Sequence, residues 1–279
     1  MITLLPPHPA ALVKTKKTRT LVIADLHIGW ELALSQKGIH VPTQTPKLLQ
    51  RLTSLLSDCK PQKLLVLGDV KHTVATAEIG EWRDVPDFFS QIRRYVDEIC
   101  IVRGNHDGNL EPLLPQDPKI SLAANAVCDG IGFFHGHQWP SLEMLNCKTL
   151  VMGHVHPVIS FRDPSGFRII KQVWVRAACD KAKLARVLLE RQNGKSGSER
   201  AMREQRCVKP KTEQLFIMPS FNDFLGGKPL NEKRLTQGEK SETIVGPVLR
   251  SGAVDLQNSE IYLLDGTFLG TLRQLEFSY

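Results

Sequence analysis

Short apolar runs alternate with amphipathic stretches along the first two-thirds of the chain. Thr20-Leu21-Val22-Ile23-Ala24, Leu64-Leu65-Val66-Leu67, Ile99-Cys100-Ile101-Val102 and Thr149-Leu150-Val151-Met152 carry the pattern of short buried strands. Between them, Thr45 to Leu56 places Leu48, Leu49, Leu52, Leu55 and Leu56 at helical spacing, and Pro86 to Val96 puts Phe88, Phe89, Ile92 and Val96 on one helical face. Strand–helix–strand alternation of this kind predicts an α/β sheet. After Ser160 the pattern becomes richer in short strands, at Ile169-Ile170, Val173-Trp174-Val175, Phe216-Ile217-Met218, Tyr262-Leu263-Leu264 and Phe268-Leu269. Pro164-Ser165-Gly166 and Asp265-Gly266 supply hairpin turns. Cys179 to Glu190 reads as one helix, and Arg191 to Lys211 as a polar, flexible insertion without periodicity. No internal repeat is visible, and residues 1–279 are expected to form a single domain.

Composition narrows the class without naming it. The chain has 279 residues, 42% hydrophobic and 23% charged, which excludes wholesale disorder, collagen and coiled coil. No apolar run approaches the roughly 18 residues of a membrane helix, so no membrane partner is expected. The start Met1-Ile2-Thr3-Leu4-Leu5-Pro6-Pro7 lacks the basic and apolar regions of a signal peptide, and a cytoplasmic location follows as the expectation. Six scattered cysteines without a C-x-x-C pair predict reduced thiols rather than a disulfide framework or thiolate metal site. Net charge is +7, and Lys181 to Lys211 holds ten basic residues against three acidic ones, so that stretch carries the whole excess. Such a run either tracks a nucleic-acid backbone or is a solubilising surface. Lys14, Lys16, Lys17 and Arg19 flank the first core strand and read as edge protection. Gly194-Lys195-Ser196 lacks the first glycine and preceding strand of a phosphate-binding loop. Phe221 and Phe224 are expected in the core of a turn before Gly226-Gly227.

Chemistry concentrates in five polar clusters, each after an apolar run: Asp25-Leu26-His27, Gly68-Asp69, Gly104-Asn105-His106-Asp107, His135-Gly136-His137 and Gly153-His154-Val155-His156. Open α/β sheets place ligands at the carboxyl ends of their strands, so the five point to one shared site. Two Asp, one Asn and at least three His without Cys form a mixed oxygen and nitrogen donor set suited to Mn, Fe, Zn or Ni. The donors outnumber what one ion needs, and two ions sharing a bridging carboxylate account for them.

In this order the clusters resemble the five motifs of the calcineurin-like metallophosphoesterases: D-x-H, G-D, G-N-H-D, H-G-H and G-H-x-H. The resemblance spans Asp25 to His156 and implies a four-layer α/β/β/α sandwich of two mixed β-sheets flanked by helices. It implies two divalent ions, manganese favoured and iron, nickel or zinc suited to the same donors. Asp25, His27, Asp69 and His156 would hold the first, and Asp69, Asn105, His135 and His154 the second, with Asp69 bridging. His106 would contact the phosphate and protonate the leaving oxygen, with Asp107 fixing its orientation. The implied reaction is phosphoester hydrolysis by a metal-bound hydroxide.

Asp69 is followed by Val70-Lys71-His72, without the Arg of the G-D-x-V-D-R-G motif of protein phosphatases. A His three residues after the Asp is similar instead to SbcD-type nucleases, where it lies close to the scissile phosphate. Asp25 to Glu31, Gly68 to His72 and Met218 to Gly227 resemble the archaeal SbcD-related phosphoesterases. His72, Asn105 and His137 are the candidate substrate contacts. The expected substrate is a phosphodiester, with DNA or RNA favoured. A phosphodiesterase or phosphomonoesterase for small molecules or nucleotides, and a non-catalytic nucleic-acid-binding repair partner, are the alternatives. No protein partner is identified.

Overall fold

A computed structural model of the chain describes residues 1–163, 165–193, 210–232 and 246–276. The chain divides into two units, Met1–Ala124 with Ser220–Phe224, and Asn125–Pro219 with Leu225–Tyr279. Each holds a mixed sheet with helices against it, the arrangement of the calcineurin-like metallophosphoesterase fold.

In the first unit the sheet runs in chain order through β1 (Ile2–Leu4), β2 (Ala11–Lys14), β3 (Arg19–Ala24), β4 (Lys63–Leu67), β5 (Glu98–Val102) and β6 (Ile120–Ala123). β1 to β3 pair antiparallel and β3 to β6 parallel. Helices α1 (Trp30–Ser35), α2 (Thr45–Cys59) and α3 (Ile79–Ile92) fall between strands. Leu48, Leu52, Leu55 and Leu56 of α2 and Val85, Phe88, Phe89 and Ile92 of α3 share one core with Leu21, Ile23, Leu64, Val66, Ile99 and Ile101. Val22 and Ala24, on the opposite face of β3, are equally buried. That two-sided burial is why the parallel strands read as unbroken apolar runs.

Two expectations are corrected here. Helix α3 begins at Ile79, not near Pro86, which sits inside it. Val85 continues the apolar face before the proline, and the Glu81 carboxylate accepts the Glu78 amide at 3.0 Å to close the first turn. The basic group Lys14 to Arg19 is a hairpin tip: Lys14 pairs with Arg19, and β3 lies between β2 and β4, so it has no edge to protect.

The second unit contains β7 (Ala126–Cys128), β8 (Ile131–Phe134), β9 (Thr149–Met152), β10 (Val158–Arg162), β11 (Arg168–Cys179), β12 (Gln214–Ile217), β13 (Val254–Leu263) and β14 (Phe268–Thr271). Seven of them lie in the order β14-β13-β11-β12-β9-β8-β7, and β10 pairs with β11. The pairs β8–β9 and β9–β12 are parallel. The predicted runs at Ile169 and Val173 merge into β11, whose first half pairs with β10 and whose second half pairs with β12 and β13. The β13–β14 hairpin turns at Asp265-Gly266, where the Gly266 amide donates to Leu263 at 3.0 Å. Pro164 of the other predicted turn lies outside the described residues.

Helix α4 (Lys181–Asn193) starts two residues later than predicted, because Cys179 ends β11 and Asp180 caps the helix. The Asp180 carboxylate accepts the amides of Ala182 and Lys183 at 3.0 Å. Leu184, Ala185 and Leu188 are buried, leaving Lys181, Lys183 and Arg186 on the exposed face. The core of this unit also takes in the short helices α5 (Pro247–Arg250) and α6 (Leu272–Leu275). Residues 194–209, which carry most of the expected insertion, Gly194-Lys195-Ser196 and Cys207, lie outside the described residues. None of the five described cysteines is in a disulfide, and burial pushes the Cys179 thiol up to about 12. Among the described residues, no helix is long and apolar enough to cross a membrane.

Ser220–Phe224 belongs to the first unit although it lies almost 100 residues beyond Ala124. Ser220 Oγ donates to the Asp25 carbonyl at 2.9 Å, the Phe221 amide to Ala24 at 2.7 Å, and Asn222 Nδ2 to Leu26 at 3.0 Å. Phe221 is fully buried under the Arg51 guanidinium, 5.1 Å from its ring centre. Phe224 is not in the core: it is 45% exposed and stacks on Trp30. Phe221→Ala is therefore expected to cost about 3–5 kcal/mol in urea unfolding. Phe224→Ala should cost less than about 2 kcal/mol, since a half-exposed ring pair and the Lys47 ammonium over the ring are what is lost. Equal costs would contradict this placement.

Candidate metal centre

Each cluster in the first unit begins where a parallel strand stops. Asp25 follows β3, Gly68-Asp69 follows β4, and Gly104 to Asp107 lies just beyond β5. The loops after β3 and β4 then run side by side. The Asp25 amide donates to Gly68 at 3.2 Å, His27 to Asp69 at 2.8 Å, Ile28 to Val70 at 2.8 Å and His72 back to Ile28 at 3.0 Å. The loop after β5 joins through Asp107, whose buried carboxylate accepts the Val70 and Gly104 amides, both at 2.8 Å. The His106 amide donates to Asp69 Oδ1 at 2.9 Å.

These contacts gather Asp25, His27, Asp69, His72 and His106. Asp25 is fully buried, and His27 and Asp69 are nearly so, with His27 Nε2 at 3.4 Å from Asp69 Oδ2. His27, His72 and His106 each offer a ring nitrogen within 4.8 Å of the others'. His72 Nδ1 lies 3.3 Å from His27 Nδ1. His106 Nδ1 donates to the His72 carbonyl, which fixes Nδ1 as a protonated ring nitrogen. Asn105 in the same loop is exposed.

The second unit repeats the device. His135 follows β8, and His154 follows the adjacent parallel strand β9, with the Gly153 amide donating to His135 at 3.0 Å. His135 Nε2 lies 3.1 Å from His154 Nδ1. The His137 ring is 5.2 Å from that of His135 and 6.1 Å from that of His154. His156 is partly buried two residues further on.

The backbone marks the same residues. Among the described residues, eight non-glycine positions adopt positive φ, and five are Asp25, His27, Asp69, His154 and His156, at 44° to 70°. Left-handed geometry costs an L-residue roughly 1–2 kcal/mol, and such strain gathers where a side chain must be aimed. Carboxylate oxygens and imidazole nitrogens are also the donors that divalent transition ions take.

Two buried charges support the centre and were not singled out from the sequence. The Glu81 carboxylate is fully buried and accepts the amides of His72 at 2.9 Å, Thr73 at 2.8 Å and Glu78 at 3.0 Å, and the Thr73 hydroxyl. Lys71 is fully buried and donates to the carbonyls of Thr73 and Val74. Burial lowers its pKa, against the raising influence of Glu81, Asp107 and Asp69. The one available signal was position: Lys71 adjoins an apolar residue in the His72 loop, and Glu81 opens a helix.

The calcineurin-like phosphoesterase family model matches residues 18–185, more than half of the chain, and the chain belongs to that family. It is thus a metal-dependent phosphoester hydrolase, and its family uses divalent metal ions. Among solved structures it is similar to the nuclease MPE of Pseudomonas putida, at 19% identity over 95% of this chain and 96% of that one, with TM-score 0.48. It is also similar to the phosphoesterase Yfce of E. coli, at 21% identity over 52% of this chain and 73% of that one, with TM-score 0.32. No curated protein matches it.

A Cβ at Gly104 would stand 2.1 Å from Asp69 Oδ1 and 2.3 Å from its amide nitrogen. Gly104→Ala must displace Asp69, and a loss of about 100-fold or more in metal-dependent hydrolysis is expected, with metal content measured alongside. Near-normal activity would show that Asp69 is not held by this contact.

Burial, then the neighbouring His27 and His106, push His72 down to about 4, against the opposing influence of Glu81 and Asp69. The folded state thus prefers neutral His72, while the unfolded chain takes up that proton near the ordinary 6.5. This contribution to stability is intact above pH 6.5 and is lost as pH falls from 6.5 toward 4. NMR titration of the metal-free protein should place the His72 midpoint well below 6; a midpoint near 6.5 contradicts the assignment.

Proposed function

We propose that this chain hydrolyses phosphodiesters, with nucleic acid the favoured substrate, as a cytoplasmic member of the SbcD-related subfamily. In this reading the whole chain acts as one catalytic domain. Asp25, His27, Asp69 and His156 hold one divalent ion, and Asp69, Asn105, His135 and His154 hold a second, manganese being the favoured metal. The observation that carries the reading is the left-handed backbone at five of those seven residues, a cost a fold sustains where ligation requires it.

The ions, when bound, supply Lewis acidity at the phosphoryl oxygen and lower the pKa of water. The chain supplies the rest. His106 keeps its Nδ1 proton on the His72 carbonyl. With Nδ1 engaged there, Nε2 is the nitrogen that passes a proton to the leaving oxygen. His72 and His137 contact the phosphate. Asp107 holds the His106 loop against the Asp69 loop through the Val70 and Gly104 amides. Val70-Lys71-His72 stands where protein phosphatases carry their Arg, which supports a diester over a phosphoprotein.

The test is hydrolysis of bis-p-nitrophenyl phosphate and p-nitrophenyl phosphate by metal-stripped protein with Mn, Ni or Zn added back. Diester cleavage should depend on metal. It should fall by about 100-fold or more in His106→Ala, and at least as far in Asp69→Ala. Monoester-only activity overturns the diesterase reading. No hydrolysis with any metal, together with nucleic-acid binding that survives Asp69→Ala, points to a non-catalytic binding role.

A further inference from the structure

Within the second unit, a cleft of about 950 Å³ opens beside His137 and His154 and is lined beyond them by Trp139, Arg191, Arg250 and Ser251. Its volume lies within the range of ligand clefts, about 300–1,000 Å³. Its chemistry is one-sided: two guanidiniums line it, and no carboxylate is among its described lining residues. Arg191, near the end of α4, sits over the Trp139 indole at 5.9 Å from the ring centre. Arg250 closes α5 and is exposed, as is Arg191, while Trp139 is partly buried against the unit's core.

An aromatic face beside cationic forks is what a nucleotide unit needs. The base stacks on indole or guanidinium, and the phosphate takes N–H donors in pairs. A small diester such as bis-p-nitrophenyl phosphate has no second phosphate to reach Arg250. We infer that this cleft is a nucleotide subsite, taking one base and its phosphate from a strand whose scissile phosphate lies at the proposed centre. Trp139 and Arg191 stack the base, and Arg250 holds the flanking phosphate. The subsite makes the enzyme prefer a polynucleotide to a small diester. Its purpose rests on the diesterase reading above, but its occupancy does not.

Two measurements on the full chain separate the two. Binding is followed by tryptophan fluorescence in EDTA, with deoxyadenosine monophosphate and a single-stranded six-nucleotide oligomer as probes. Wild type should bind the oligomer, with about tenfold weaker binding in each of Trp139→Ala, Arg191→Ala and Arg250→Ala, as lost stacking or phosphate contacts imply; fluorescence anisotropy of a labelled oligomer covers Trp139→Ala. With metal, KM for the oligomer should rise about tenfold in the same variants, while bis-p-nitrophenyl phosphate turnover stays within twofold. Oligomer binding unchanged in all three variants overturns the subsite and leaves the diesterase reading intact. Binding lost in the variants, with no hydrolysis of any diester by wild type, supports the subsite and overturns the diesterase reading. Monophosphate binding as tight as oligomer binding overturns the strand as its source and assigns the cleft to a free nucleotide.

Discussion

The amide hydrogen bonds that lace the loop after β3 to the loop after β4 are what the candidate centre in the first unit depends on. Asp25, His27 and Asp69 sit in left-handed backbone, at a combined cost of about 3–6 kcal/mol. Four amide bonds join the two loops, and at about 0.5–1.5 kcal/mol each they return some 2–6 kcal/mol. The strain is therefore met almost locally, before any ion binds. Gly104 is part of the same arrangement, since a side chain there would occupy the space that Asp69 fills.

Charge buried around these loops works by the same logic. Glu81 has no route to water, yet its four hydrogen-bond partners satisfy it, and three of them are the backbone of the His72 loop or the first turn of α3. Lys71 sends its ammonium to the carbonyls of that loop. One residue thus fixes the loop's donors and the other its acceptors. Buried charges without such partners would destabilise the unit severely.

Much of this was legible because ligands and strands announce themselves in simple ways. β3, β4, β5 and β9 are apolar on both faces and appear as runs, and Asp25, Asp69 and His154 come straight after those runs. β1, β6 and β7 are three or four residues long and partly exposed, so no run betrays them. Glu81 looked like any surface acid on a helix, because its partners are main-chain amides that carry no sequence signal. Phe221 and Phe224 look alike in a Gly-rich turn, and what separates them is packing: Phe221 lies in the core with α2 and α3, while Phe224 stacks on Trp30 half-exposed. Trp139, Arg191 and Arg250 lie too far apart in sequence for any spacing rule to unite them.

The return of Ser220–Phe224 to the first unit bears on how the molecule is made. Phe221 fills the same core as α2 and α3, and Ser220 and Asn222 satisfy carbonyls of the Asp25 loop. During synthesis these positions stay open until residue 224 has left the ribosome. The first unit, although nearly all its residues emerge early, waits with an incomplete core and an unbraced Asp25 loop for a segment translated much later. Domains generally fold as units as they emerge; here the last piece arrives almost 100 residues after the rest of its unit, so completion of the Asp25 loop is delayed until that segment emerges.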